Sequence, residues 1–149
     1  MLFRSAELSD IPQIQVVRHL VKENTLSDPA LVPDQDVAYY LTEKGHGWVC
    51  ETAGKIVAFS IIDLRDKSVW ALFVDPDFAE KGIGKELHRR MLDWYFERTT
   101  DAVVLGTAPN TRAENFYRLQ GWTCVGNYPN GEVKFEMSHR DWTKRTFPA

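Results

Sequence analysis

Apolar positions along the chain switch between a period near 3.6 and a period of two, and the switches mark its elements. Residues 2–6 read as a short opening strand. Behind Ser9 and Asp10, residue types that cap helices, Ile11, Ile14, Val17, Leu20 and Val21 recur at helical spacing. Prolines and polar residues between Asn24 and Pro33 are loop chemistry, and an amphipathic pattern through Val37, Tyr40 and Leu41 makes residues 34–44 a second helix. Strands are expected at 47–52 and 56–64, joined by Ala53-Gly54-Lys55, a spacing that favours an antiparallel hairpin. After Arg65-Asp66-Lys67, residues 68–74 are almost wholly apolar, which predicts a central strand covered on both faces.

The second half alternates helix and strand. Ile83, Leu87, Met91 and Trp94 predict the buried stripe of a helix over 82–98, and residues 102–107 form another central strand. A short helix over 111–120 ends at Gly121. Residues 122–128 and 133–138 then form a hairpin about Pro129-Asn130-Gly131, and the order of the polar tail from His139 is left open. Strand, two helices, three meandering strands, helix, strand, helix and hairpin add up to an α/β sandwich of mixed strand direction. There is no repeat or low-complexity tract, so residues 1–149 are expected to form one domain.

Composition narrows the function classes. Eighteen Lys and Arg against 21 Asp and Glu leave a net charge of −3, which argues against nucleic acid or an anionic membrane as partner. Cys50 and Cys124 are too few for a disulfide framework and are expected to be small buried side chains. No basic leader precedes an apolar run at the start, and no apolar run reaches 18 residues, so the expectation is a soluble, cytoplasmic protein. His19, His46, His88 and His139 do not fall at ligand spacings with each other or with the cysteines, so no metal is expected.

The segment from Val74 to Lys85 runs from a buried strand through a turn into a helix. Its first amides lack intrahelical partners and carry the positive end of the dipole, so Gly82 and Gly84 can admit a pyrophosphate. Taken alone, the Gly-x-Gly is equally a tight turn. Lys81, Lys85 and Arg89 recur every fourth residue and share one helix face that starts at this site, although a solvated face has the same pattern. The glycines follow a three-strand meander and no third glycine follows, so a nicotinamide dinucleotide fold is not indicated.

Downstream, Asn110, Ala113, Phe116, Tyr117, Gly121 and Trp122 stand as Asn-x-x-Ala-x-x-Phe-Tyr-x-x-x-Gly-aromatic. With the Val-x-Pro and Gly-x-Gly loop upstream, this resembles the GNAT superfamily of acyl-CoA-dependent N-acyltransferases. The resemblance implies a GNAT-like, mostly antiparallel sheet flanked by about four helices, with a splayed central strand pair. It implies acetyl-CoA as cosubstrate and no metal, with the diphosphate on the amides of Lys81, Gly82, Ile83, Gly84 and Lys85. The pantetheine arm would lie along Leu72, Phe73 and Val74. Asn110 would help line the gap, and Tyr117 would protonate the departing thiolate. One departure is Ala79, where the family usually carries glutamine or arginine.

The expected reaction moves acetyl from acetyl-CoA to the primary amine of a small molecule by direct attack in a ternary complex. A backbone N–H around Phe73 or Val74 would polarise the carbonyl. An amine of pKa ~10.4 is about one part in 10³ unprotonated at pH 7, so a base is needed. Residues 69–74 hold no acid; Asp63, Glu23 and His46 are the candidates, each more readily an ordinary surface charge or a hydrogen-bonded edge residue. The segment 22–36 sets Lys22 against Glu23, Asp28, Asp34 and Asp36, which suits a cationic amine or an ordinary solvated surface. A non-catalytic acyl-CoA-binding sensor and a peptide or protein N-terminal acetyltransferase stay open, as does a homodimer through the last strand.

Overall fold

A computed structural model describes residues 1–21 and 32–146. A seven-stranded sheet runs in the order β1-β2-β3-β4-β5-β7-β6. Its strands are β1 (Leu2–Ser5), β2 (Gly45–Thr52), β3 (Lys55–Asp63), β4 (Ser68–Val74), β5 (Val103–Thr107), β6 (Thr123–Asn127) and β7 (Val133–Met137). Five helices are described: α1 (Ile11–Leu20), α2 (Asp34–Tyr39), α3 (Ile83–Arg98), α4 (Arg112–Leu119) and α5 (His139–Thr146). All neighbouring strands are antiparallel except β4 and β5, which are parallel and share the single register pair Ser68↔Val104. The predicted α/β sandwich is therefore present, and the tail left open in the sequence supplies a fifth helix because Trp142 is buried. The indole N–H of Trp142 donates to Asp93 Oδ1 at 2.8 Å.

Two cores lie on opposite faces of the sheet. On one face α3 buries Ile83, Leu87, Met91, Leu92 and Tyr95 against Val57, Ala58, Ile62, Leu105 and Phe135. On the other, Ile14 and Val17 of α1 and Val37 of α2 pack on Val49, Phe59 and Ile61. Each such side chain contributes roughly 1.5–3 kcal/mol on burial. Trp94 departs from the expected stripe: it is half-buried, its ring 5.7 Å from Trp48 and capped by Arg98 at 4.1 Å. The chain entering α1 is anchored by Arg4, whose Nη1 and Nη2 donate to Asp10 at 2.8 and 2.9 Å, while Glu7 N–H donates to Asp10 Oδ2 at 2.8 Å. Asp10 thus secures the turn before the helix, and Arg4 holds its carboxyl below the usual range.

Three expectations change. β4 is half-buried along most of its length rather than covered on both faces, because it borders a cleft. Cys124 is exposed, since β6 is the sheet edge and every residue of it faces water; Cys50 is buried as expected. The last strand, β7, lies between β5 and β6, so the edge that pairing between copies would need belongs to β6.

In the α3 core, the Trp122 indole N–H donates to His88 Nε2 at 2.8 Å, and burial pulls the imidazole pKa down to about 3. The folded state therefore holds this ring neutral, whereas the unfolded chain protonates it near pH 6.5, so stability falls as pH drops through 6.5 towards 3. By pH 5 the loss is about 2 kcal/mol. His88→Gln keeps an acceptor and does not titrate. Urea unfolding at pH 7.5 and pH 5 is expected to show that loss in the natural protein relative to the variant, and equal pH sensitivity in the two would contradict it.

Candidate active site

Pairing between β3 and β4 slips by one residue: Ile61 faces Ala71 and Ile62 faces Val69, leaving Trp70 as an extra residue in β4. Such a bulge bends the strand and increases its twist. Past Ser68↔Val104 no further β4–β5 pair forms, and the space between the strands is a cleft of about 970 Å³. Asp75 N–H donates to Val57 O at 2.8 Å, so by antiparallel alternation Phe73 also bonds β3, while the peptide groups of Leu72 and Val74 face the gap. Val104 N–H donates to Lys67 O at 3.0 Å, and the same alternation turns Gly106 towards the gap from β5. A backbone donor for a carbonyl is thus available at Val74 and not at Phe73, whose contribution to the cleft is its side chain.

α3 begins where β4 ends, so its N-terminus stands at the mouth of the cleft. Gly82 is its N-cap at φ 80°, with no side chain capping the helix. A Cβ at Gly82 would meet nothing within 4 Å, so the residue is required for its left-handed conformation. Glu80 shares that conformation at φ 62°, where a side chain is strained. At Gly84 a Cβ would lie 3.6 Å from Val74 and 3.8 Å from Phe116, so this glycine keeps the passage between them open. The unpaired amides at the start of a 16-residue helix, with no side chain covering them, fit a diphosphate. Gly82, Ile83, Gly84 and Lys85 all line the cleft; Lys81 is exposed beside it. Arg89 is held within the helix by Glu86 at 2.5 Å and Asp93 at 3.3 Å, the solvated-face reading. Ala79 lines the cleft and brings no donor of its own.

The far wall is α4. Thr111 Oγ1 accepts from Glu114 N–H at 3.2 Å and donates to Ala108 O, and Glu114 Oε1 takes the Asn110 N–H at 2.9 Å. This reciprocal cap fixes the helix so that Phe116 and Tyr117 face the cleft. Tyr117 is packed by His88, Phe116, Trp122 and Phe135. Burial raises its pKa well above 10, so the phenol stays protonated. Asn110 does not line the cleft: it is exposed at φ 60°, spent on the cap, and Asn115 is the asparagine on the lining.

The candidate bases separate from the cleft. Asp63 pairs with Ser68 in register, at the closed end of β4, roughly 20 Å from Val74 at 3.3 Å per residue. Both its oxygens are engaged, one by Lys44 Nζ at 3.1 Å and one by Asp66 N–H at 2.9 Å. His46 lies 2.9 Å from Ser5 Oγ, against Trp48 and Trp94; Trp94 is about 16 Å along α3 from Ile83. Glu23, with Lys22 and Asp28, lies outside the described residues. Among the described residues, Glu80 is the one carboxylate on the cleft lining, and no cluster of His, Cys, Asp and Glu could hold a metal ion.

Two groups that the sequence pattern left unmarked stand on the α1 face of the gap. The Ser68↔Val104 pair puts Gly106 on the same face as Trp70, Ala71 and Phe73. There Glu132 Oε1 and the Tyr128 ring each come within 3.0 Å of where a Gly106 Cβ would be. On the β4 side, the Arg18 guanidinium lies over Trp70 and Phe73.

A cleft between diverging parallel strands, with a glycine-capped helix start at its mouth, suits an extended ligand that carries an anionic group. The model of the acetyltransferase (GNAT) family matches residues 14–122, and the chain belongs to that family, whose enzymes are acyl-CoA-dependent N-acetyltransferases. It is 33% identical over 95 residues to N-acetylaspartate synthetase of Danio rerio, covering 60% of this chain and spanning about a third (34%) of that relative. Its fold is similar to that of smu.2055 from Streptococcus mutans UA159, with TM-score 0.79, 18% identity and coverage of 93% and 99% of the two chains. It is also similar to a Thermoplasma acidophilum PaiA N-acetyltransferase solved with coenzyme A, with TM-score 0.74, 11% identity and coverage of 92% and 98%. Among the described residues, no helix is long and apolar enough to cross a membrane.

Gly84→Leu is expected to close the passage beside Val74 and Phe116 and weaken acetyl-CoA binding at least tenfold by calorimetry, while Gly84→Ala stays near the natural affinity. Equal affinity in all three proteins would remove the helix start from the site.

Proposed function

We propose that this protein transfers acetyl from acetyl-CoA to the primary amine of a small molecule by direct attack in a ternary complex. The observation that carries the reading is the convergence, on one cleft, of the uncapped α3 amides, the gap-facing peptide groups of β4 and the buried phenol of Tyr117. When bound, acetyl-CoA supplies an activated thioester carbonyl and a thiol leaving group. The amides of residues 82–85, with Lys85 and the neighbouring charge of Lys81, hold the diphosphate. The peptide groups of Leu72 and Val74 hold the extended arm as an added strand would, while Phe73 gives its side chain. Val74 N–H then serves as a one-donor oxyanion site.

Tyr117 delivers the proton to the leaving sulfur. Its elevated pKa makes it a reluctant acid, so its share is modest beside positioning: a thiol of pKa ~8.5 already leaves well, and general-acid help of roughly 10²-fold is what remains to supply. The amine's proton leaves towards the α1 face, where Glu132 is a half-buried carboxylate above the β5 wall. Neither cysteine lines the cleft, which fits direct transfer without an acyl-enzyme.

A second reading, an acyl-CoA-binding sensor without turnover, is favoured by the scarcity of carboxylates on the cleft lining, where Glu80 stands at the diphosphate end. Thiol release with DTNB across a panel of amines separates the two. Release with at least one amine supports transfer, and tight coenzyme A binding with no release from any supports the sensor.

Tyr117→Phe is expected to lower kcat by ten- to a few hundred-fold with acetyl-CoA affinity kept; an unchanged kcat would take the phenol out of the reaction. Cys50→Ala with Cys124→Ser is expected to retain turnover in protein that remains folded by circular dichroism, and its abolition would point to a covalent intermediate instead.

A further inference from the structure

Arg18 is used by none of the steps above. Its guanidinium carbon lies 5.0 Å from the centre of the Trp70 ring and 5.6 Å from that of Phe73, two side chains that line the cleft on the α1 face. Leu20 and Val21, at the end of the same helix, line it too. Nε and Nη1 of Arg18 are buried and have no hydrogen-bond partner among the described residues. Buried donors are normally satisfied, and a half-buried guanidinium without a carboxylate is uncommon because no opposite charge offsets its desolvation. The two ring faces offset part of that cost but accept no directed hydrogen bond in the guanidinium plane. What the site lacks is an anionic acceptor, and a carboxylate is the charge-assisted partner a guanidinium takes.

We infer that Arg18 binds a carboxylate of the acceptor, so that the amine acetylated here belongs to an amino acid or another amine bearing an acid group. The inference rests on the transfer reading above and specifies its substrate class. The charge on the other side of the gap agrees with it. Glu132 lies above Gly106 on the same face of the sheet, so a zwitterion finds a cation on the β4 side for its acid and an anion on the β5 side for its ammonium.

Acetylation of L-amino acids and of their carboxamides, followed by thiol release with the full chain and its Arg18→Met and Arg18→Lys variants, tests this. The natural protein is expected to favour at least one free acid over its amide by about 10- to 150-fold in kcat/KM, the range of a charged hydrogen bond. Arg18→Met is expected to erase that preference, mainly through KM, and Arg18→Lys to restore part of it. Acids and amides acetylated alike, or a preference that survives in Arg18→Met, would overturn the inference. A second readout does not need turnover: in arginine-labelled protein with coenzyme A present, the Nε–Hε resonance missing from Arg18→Met is followed during titration with the same acids and amides. Movement with acids and not with amides supports the carboxylate site even if no amine is acetylated, in which case the transfer reading alone fails. No movement at tens of millimolar acid would sink the Arg18 assignment. A purely structural arginine predicts instead a lower melting temperature in Arg18→Met with the substrate preference unchanged.

Discussion

The functional architecture depends on one broken pairing. β4 and β5 are parallel neighbours that meet at Ser68↔Val104 and then separate, because the extra residue at Trp70 lets β4 follow β3 instead of β5. The cost is a row of main-chain groups, at Leu72 and Val74 on one side and Gly106 on the other, that the sheet leaves to water or to a ligand. The gain is a slot lined by peptide groups in the centre of a sheet, a place where strand pairing normally makes backbone inaccessible. Connectivity does the rest: α3 starts from the turn that ends β4, so the positive end of a 16-residue helix arrives at the slot's mouth without a separate loop to carry it.

The two faces of the sheet differ in a way that orders the slot. The α3 face is a packed aromatic core in which His88, Trp122 and Trp142 surround the wall that carries Tyr117. Burial there keeps both rings in one protonation state across neutral pH, His88 neutral and Tyr117 protonated. The α1 face is where the charged side chains come close, with Arg18 on one side of the gap and Glu132 on the other. On the transfer reading proposed above, a thioester lying in the slot would meet Tyr117 from one face and the amine from the other, which suits an attack that must open a tetrahedral centre between them.

Most of the fold was legible in the sequence because apolar period, turn residues and caps agreed from element to element. Gly82 and Gly84, the short helix over 111–120 and the position of Tyr117 could be read because each depends on local sequence. The misreadings share a different cause. A run such as residues 68–74 is equally apolar whether a helix or a ligand cleft covers it, so its half-burial is set by the partner it loses. Asp63 ends β3 and His46 begins β2, strands that contribute nothing to the slot lining, and a one-dimensional pattern does not say which strands part or at which end. Cys124 lies in an apolar run, yet β6 is an edge strand, and edge position is a property of sheet order. Trp142 is the one buried apolar side chain described in α5, too little periodicity to announce a helix in a polar tail.

Arg18 illustrates the same limit from the opposite direction. Between Val17 and His19 it looks like one more polar residue of an amphipathic helix, and nothing nearby in sequence marks it. Its meaning comes from Trp70 and Phe73, more than 50 positions away, one of them the bulged residue that parts the strands. The defect that opens the slot thus also turns a large ring to the α1 face, where it supports a cation with spare donors. Lys85 lines the diphosphate end. On the reading proposed above, a long anionic carrier would gain from the helix dipole and Lys85 at the mouth, and the guanidinium over Trp70 and Phe73 would be left for a smaller acid.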